Sequence, residues 1–481
     1  MSESTSQLRK NAVGLGGAVI MSAALMGPAV SVYFNPQVVA AQAGAATPFV
    51  FVVALVIMLF VAASIREMAA AFPSAGSFYT YVARGIGPRS GFVTGGLMFV
   101  AYALLVPAEL ALIGYYTSAL LGTYGVHISW WIISAVFTAL MIVLSLRGIA
   151  GSLRTAAILF SIEVSVIVLL SVIVLARGGA HGITLAPFNP ASSPKGLSGI
   201  ALGMTFGILS FVGFEAATTL GEEVRQPRRN VPRAILLSLL FVGAIYLFCT
   251  FAEMVGFGTG GVSKLITDPA PFTTLAKTYA SWLQLLIGLA GISSIFAVTM
   301  NTNNGVVRIV FAMGREGLLP ERMGRVHPVH RTPTVAIWFV AIVSVVFTFG
   351  VGFLSGPFNA YVYLGSVLTL AIIPVYALTS IACIRHFARA DRTRRSVVRH
   401  VILPVLGIVV LGLPVYGQLY PAPAMPLRLF PYLVVAYIAV MAVVAFRIGR
   451  RHPETLERAG SVMATGETEQ ELVAAQSSAT A

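Results

Sequence analysis

Apolar residues run along this chain in long blocks separated by short polar stretches. Twelve blocks stand out, at roughly 12–41, 48–72, 91–121, 127–146, 152–176, 197–220, 232–256, 272–312, 333–353, 359–385, 401–420 and 427–448. A helix needs about 20 apolar residues to cross the hydrocarbon core of a bilayer. The pattern predicts an all-α integral membrane protein of twelve spans. The ten-residue alternation of a membrane β-barrel is absent. Pro and Gly punctuate many blocks, as lipid-embedded helices tolerate when neighbours satisfy the freed backbone groups. Residues 1–11 are polar and lead into the first block with no small-residue cleavage site, which argues against a removable signal peptide. From Gly449 to Ala481 the chain is polar and lacks an apolar period, and it is expected to be a disordered tail.

Composition sharpens this picture. The 481 residues are 57% hydrophobic and 10% charged, too few charges to cover a soluble surface and too apolar for a disordered chain. Lys and Arg number 31 against 17 Asp and Glu, a net charge of +14. With the N-terminus inside, 26 of the 31 fall in cytoplasmic loops, and only Arg177, Lys195, Lys264, Lys277 and Arg428 fall outside. Cytoplasmic loops carry such an excess because positive flanks resist translocation. Both termini are therefore expected in the cytoplasm, with the chain in the cytoplasmic membrane. The positive charge is explained by topology, so no nucleic-acid partner is invoked.

Enzyme chemistry finds no support. Cys249 and Cys383 lie inside apolar blocks and read as small buried hydrophobes rather than metal ligands. The seven histidines sit in loops or near span ends and form no metal-binding spacing, and no nucleophile or nucleotide motif appears in context. No cofactor or metal is expected.

Two spans are interrupted. The first runs Met26-Gly27-Pro28-Ala29-Val30-Ser31, where Pro28 lacks an N–H and Gly27 lowers the cost of unwinding. The sixth contains Phe211-Val212-Gly213-Phe214-Glu215, with a carboxylate near mid-membrane depth. They open two five-span halves, about 12–176 and 197–385, which an odd span number forces into opposite topology. Discontinuous helices at matching positions of two halves mark a substrate site at their interface.

At these residues the chain resembles the amino acid–polyamine–organocation superfamily of transporters. The resemblance rests first on Phe211 to Glu215 followed by Gly221-Glu222-Glu223-Val224-Arg225-Gln226-Pro227-Arg228-Arg229-Asn230-Val231-Pro232-Arg233-Ala234-Ile235. A second stretch, Arg308 to Pro320 followed by His327 and Arg331-Thr332-Pro333, is similar to the family's loop after helix eight, with Glu316 where Asp is usual. A weaker third runs from Glu67 to Tyr79. The resemblance implies a five-plus-five inverted repeat with broken helices 1 and 6, two extra C-terminal helices, and alternating access. It implies a substrate carboxylate held on backbone N–H groups of the first break and an amino group held on carbonyls of the sixth helix. Pro28 removes one such donor, so an amine substrate stays open beside an amino acid.

Four carboxylates fall within spans: Glu109, Glu163, Glu215 and Glu253. Such residues are functional candidates because burying a charge in the bilayer is costly. Glu253 is expected near the outer end of span seven, reaching toward the interface. Glu109 either lines the cavity or pairs with a buried donor. Glu215 bridges the broken helices, faces a substrate amine, or senses protons. Glu163 stands where proton-coupled relatives carry Lys, and burial disfavours a carboxyl's charged form, so it is the candidate proton carrier. A structural hydrogen bond from span one or eight is its alternative role. Sodium coupling through Ser293, Ser294, Thr299 and Thr302 is the competing mechanism, since oxygen ligands suit hard cations. The substrate-binding candidates are Met26, Gly27, Pro28, Ala29, Val30, Ser31, Phe211, Gly213, Phe214 and Glu215, with walls from Ala103, Val106 and Leu110. The expected function is an amino acid permease, a proton symporter. An amine or polyamine transporter, an exchanger, and a channel or non-transporting receptor are the alternatives.

Overall fold

The computed structural model describes residues 13–73, 76–148, 153–220, 223–315, 319–326, 332–389 and 396–451. The expected N-terminal segment 1–11 lies outside them, as does the tail from residue 452. Among the described residues the chain is helical, apart from one parallel bridge between Val13 and Val224.

The first expected span is split into α1 (Leu15–Leu25) and α2 (Pro28–Ala43), followed by α3 (Thr47–Ala71) and a short α4 (Ser77–Gly85). Then come α5 (Pro88–Gly122), α6 (Trp130–Leu146) and α7 (Leu153–Ala176). The second half opens with α8 (Gly196–Leu209), which gives way to a 3-10 turn over Phe214–Leu220, and continues with α9 (Pro227–Phe257). Two short helices, α10 (Val262–Thr267) and α11 (Pro271–Tyr279), precede α12 (Gln284–Arg315), α13 (Thr334–Ser355) and α14 (Pro357–Ala388). The chain closes with α15 (Leu403–Val410), α16 (Gly412–Leu419) and α17 (Phe430–Arg451). Prolines Pro28, Pro88, Pro227, Pro271 and Pro357 each stand first in a helix. There the missing N–H has no intrahelical partner to lose and the fixed φ suits the first turn.

Ten described stretches are long and apolar enough to cross a membrane, so the chain is a multi-pass membrane protein. One of them, Leu15–Ala71, has 57 residues and takes in two expected spans, 12–41 and 48–72. Trp130–Leu146 coincides with the expected span 127–146 but stands apart as a shorter apolar helix. Three boundaries differ from expectation. The span expected from 272 is interrupted, because the chain leaves the helical conformation at Ala280 (φ −155°, ψ 67°) and α12 begins only at Gln284. The span expected over 401–420 opens with a π turn, Val398–Ile402, and divides between α15 and α16. Gly449 to Arg451 continue α17 rather than opening the tail.

The broken helices sit at the centre. Of the most apolar 18 residues within Gly196–Thr219, 83% are buried, against 22% within Leu427–Arg450, so α8 is interior and α17 peripheral. α2 lies against α8, α3 against α9, α5 against α12 and α14, and α6 against α13. α15 packs on α3, α16 on α8, and α17 on α5 and α14. Cys249 and Cys383 are both buried and unpaired by disulfide.

Candidate substrate and coupling-ion site

The first break is built on Gly27. Its φ of +55° lies in the left-handed region, and an added Cβ would stand 2.6 Å from both Val298 and Val30 side chains. Conformation and space together demand glycine. Beyond it, α2 begins with backbone donors that have no partner inside the helix. Pro28 has none to offer. The N–H of Ala29 donates to Glu163 Oε1 at 2.5 Å and that of Val30 to Ser294 Oγ at 3.3 Å. Ser31 N–H returns to the Gly27 carbonyl at 2.9 Å. The Ser294 hydroxyl in turn donates to Glu163 Oε1 at 2.7 Å. A buried carboxyl from α7 thus caps the positive end of α2, with α12 supplying the second donor.

The second break follows α8. Gly213 has φ +107°, and a Cβ there would meet the Leu25 backbone at 3.1 Å, so the two breaks touch. The Gly213 N–H donates to Glu215 Oε2 at 3.1 Å. Glu215 Oε1 accepts the Tyr102 hydroxyl at 2.6 Å and the Tyr376 hydroxyl at 3.3 Å. The Ala217 N–H donates to Ser22 Oγ of α1 at 2.9 Å. Tyr246, on α9, has its hydroxyl 2.9 Å from the Met26 carbonyl and 2.8 Å from the Ser210 carbonyl, the loose ends of α1 and α8. Asn35 of α2 donates to Ser210 Oγ at 2.7 Å and accepts the Tyr361 hydroxyl at 2.6 Å.

Met26 to Ser31, Phe211, Gly213, Phe214 and Glu215 therefore meet in one buried region, and Glu163 joins them at the α2 end. Not every expected neighbour does. Val106 and Leu110 pack with Met141 of α6 and Phe296 of α12, and Ala103 joins a cluster around Val306 and Val310. Their neighbour Tyr102 is the α5 residue that reaches Glu215. Glu253 does not reach an interface: it is 1% exposed and both its carboxyl oxygens are buried without a hydrogen-bond partner. Glu109 Oε2 is also buried and unpartnered. Of the span-eight hydroxyls, Ser294 meets Glu163, Thr299 donates to the Ile295 carbonyl one turn back, and Thr302 Oγ1 is buried without a partner. Asn303 donates to Ser145 of α6 at 3.0 Å.

No sequence motif marks Tyr102, Tyr376, Tyr246 or Asn35. A mid-span tyrosine hydroxyl must find a partner when buried, and that is the one signal available for three of them.

The motif loops have defined mechanics where described. Val13 N–H donates to the Glu223 carbonyl and Arg225 N–H to the Val13 carbonyl, pinning the start of α1 to the loop after the second break. Gly314 packs on the 3-10 turn Glu321–Gly324, where a Cβ would meet Met323. Glu67 faces the His400 imidazole at 3.2 Å. Residues Ser74, Ala75, Gly221, Glu222, Glu316, Gly317, His327 and Arg331 lie outside the described residues.

Comparison with known proteins agrees with this architecture. A family model described as amino acid permease matches residues 14–454. The branched-chain amino acid permease BcaP of Bacillus subtilis is 27% identical over 373 residues, covering 72% of this chain and 74% of that protein. The low-affinity putrescine importer PlaP of Escherichia coli K12 is 26% identical over 412 residues, covering 84% and 88%. The methylthioribose transporter of B. subtilis is 26% identical over 431 residues, covering 86% and 88%. These relatives are transporters of small molecules. The chain belongs to the amino acid permease family, within the amino acid–polyamine–organocation superfamily.

Proposed function

We propose that the chain is a secondary active transporter that carries an amino acid across the cytoplasmic membrane by alternating access, together with a proton. The observation that carries this reading is the meeting of two broken helices with a buried carboxyl at each break, Glu163 at the first and Glu215 at the second. Two inverted repeats, 12–176 and 197–385, relate the breaks. The pairing of α2 with α8, α3 with α9, α5 with α12 and α6 with α13 supports that division. The arginine excess of one set of loops supports cytoplasmic termini.

In this reading Met26 to Ser31 and Phe211 to Glu215 enclose the substrate. Their mostly apolar character favours a neutral amino acid, whose ammonium group would face Glu215 and the carbonyls of the breaks. Its carboxylate would seek the N-terminus of α2, where backbone donors and the helix dipole favour an anion. Glu163 already holds the Ala29 N–H, and Ser294 that of Val30. Two carboxylates cannot share one N–H without strong like-charge repulsion, so the substrate enters when Glu163 takes a proton and releases Ala29. Proton uptake and substrate binding are then one event, which is the thermodynamic requirement for symport. Ser294 stays as a donor throughout.

A second reading has a specific observation behind it. A substrate without a carboxylate needs none of the α2 donors, so a Glu163 that never leaves Ala29 suits an amine. BcaP and PlaP, a branched-chain amino acid permease by name and a putrescine importer by name, span the two readings. Counterflow in proteoliposomes decides between them. Leucine exchange supports the first and putrescine exchange alone the second. Neither, with binding but no flux, would overturn transport.

A further inference from the structure

At the arginine-rich end of the bundle, α17 and α5 bring together positive charges that form no ion pair with an acid among the described residues. Arg450 lies over the Phe446 ring at 4.4 Å from its centroid, and Arg89 lies over the same ring at 5.4 Å. The two guanidinium carbons are therefore no more than about 10 Å apart, comparable with the Debye length of about 8 Å at physiological salt. Arg447 and Arg450 line an open groove of about 520 Å³ on α17 together with Ala442, Val443 and Phe446. Among the described residues, the one ion pair with a carboxylate is His400 with Glu67, elsewhere in the molecule.

Charges of one sign held this close repel, and two features make the repulsion worse or fail to relieve it. Arg89 stands in the first turn of α5, immediately after Pro88, where the helix dipole is already positive and a cation is unfavourable. The aromatic face of Phe446 orients the guanidiniums but carries no net charge to offset theirs. An anion bridging Arg89, Arg447 and Arg450 would remove the conflict, and guanidinium forks match phosphate oxygens in a bidentate manner.

The lining below the arginines says which anion. Ala442 and Val443 are apolar, and Val443 is 51% exposed; along the same helix Val440 is 58% exposed and Phe446 44%. The groove thus runs from a cationic rim onto the outward apolar face of a peripheral, membrane-crossing helix. A free phosphate would use only the rim, whereas a phospholipid would use both parts. We propose that this groove on α17, beside Arg89 at the start of α5, is a binding site for a phospholipid with an anionic headgroup, its phosphate on Arg447, Arg450 and the neighbouring Arg89 and one acyl chain along Ala442 and Val443.

The test uses the full-length protein purified in detergent, titrated with phosphatidylglycerol, phosphatidylcholine or inorganic phosphate while thermal unfolding is followed. A ligand of the folded state raises the apparent melting temperature in a saturable way. Phosphatidylglycerol should stabilise the wild type at concentrations where phosphatidylcholine and phosphate do little. The double variant Arg89→Gln/Arg450→Gln should need about tenfold more phosphatidylglycerol or beyond, as expected for removing two basic contacts. Arg428→Gln, a basic residue away from the groove, should titrate like the wild type. Should the double variant fold poorly, Arg447→Gln alone carries the same expectation at smaller size. Equal responses to phosphatidylglycerol and phosphatidylcholine, or an unchanged titration in both Arg variants, would overturn the site. An Arg-dependent response to inorganic phosphate equal to that of phosphatidylglycerol would overturn the lipid as its ligand.

Discussion

The Tyr102 hydroxyl donates to the Glu215 carboxyl at 2.6 Å, joining the uninterrupted α5 to the irregular turn at the second break. Glu215 is only 3% exposed, and Tyr102 is half-buried. Removing one partner of a buried polar pair costs about 1–3 kcal/mol. Tyr102→Phe should lower the stability of the purified protein by that amount in denaturant unfolding. Combined with Glu215→Gln in a double-mutant cycle, it should show a coupling of about 0.5–3 kcal/mol. Strict additivity would mean that the hydroxyl does not hold Glu215.

The proton mechanism predicts a specific pH dependence. If one proton enters with each amino acid, affinity for a carboxylate-bearing substrate rises as pH falls, by up to about tenfold per unit while Glu163 is ionised in the free protein. Glu163→Gln mimics the protonated group. It should bind the same substrate with little dependence on pH and support counterflow, yet fail to accumulate substrate under an imposed pH gradient. Isothermal titration across pH and gradient-driven uptake measure the two halves. A pH dependence that survives in Glu163→Gln places the proton elsewhere.

Gly27→Ala meets two penalties at once: a backbone φ of +55° and a Cβ 2.6 Å from Val298 and Val30. The left-handed conformation alone costs about 1–2 kcal/mol for an L-residue, and overpacking typically costs about 1–3 kcal/mol more. A clear drop in melting temperature and loss of counterflow are expected. Gly16→Ala, on α1 with nothing within 4 Å of its added Cβ, should leave both unchanged.

Glu253 points the other way. Its carboxyl is buried with neither oxygen hydrogen-bonded, so the protein carries an uncompensated desolvation cost there. Glu253→Met should raise the melting temperature without lowering transport. If transport falls while stability rises, Glu253 belongs to the transport machinery, and its cost is the signature of that role.

Much of the fold could be read from residue types alone. Apolar block length reports crossing helices because the bilayer sets one required thickness, and several prolines mark helix starts because the missing N–H costs nothing there. The break at Gly27-Pro28 was legible for the same reason: both residues act on their own backbone. The break at Phe211 to Glu215 was legible from a charge that a lipid-facing helix does not carry. Helix ends without such markers were less so. The start of α12 at Gln284 depends on how α11 folds back at Ala280, and nothing in the local apolar content distinguishes it.

What the sequence by itself determined, then, is that the chain crosses a membrane many times, where two of its apolar segments break, and which carboxylates stand inside them, since each follows from local chemistry and the thickness of a membrane. What only the tertiary structure decided is partnership. Tyr102 and Tyr376 reach Glu215 from 113 and 161 residues away, and Glu163 reaches Ala29 across 134. Val106 and Leu110 turn away from the breaks while Tyr102 turns toward them, and Glu253 stays buried instead of reaching the surface. A helix presents a different residue every 100°, so a small rotation of α5 or α9 exchanges a site wall for a packing contact. That rotation is set by the sum of contacts with neighbouring helices, which no single stretch of the chain contains.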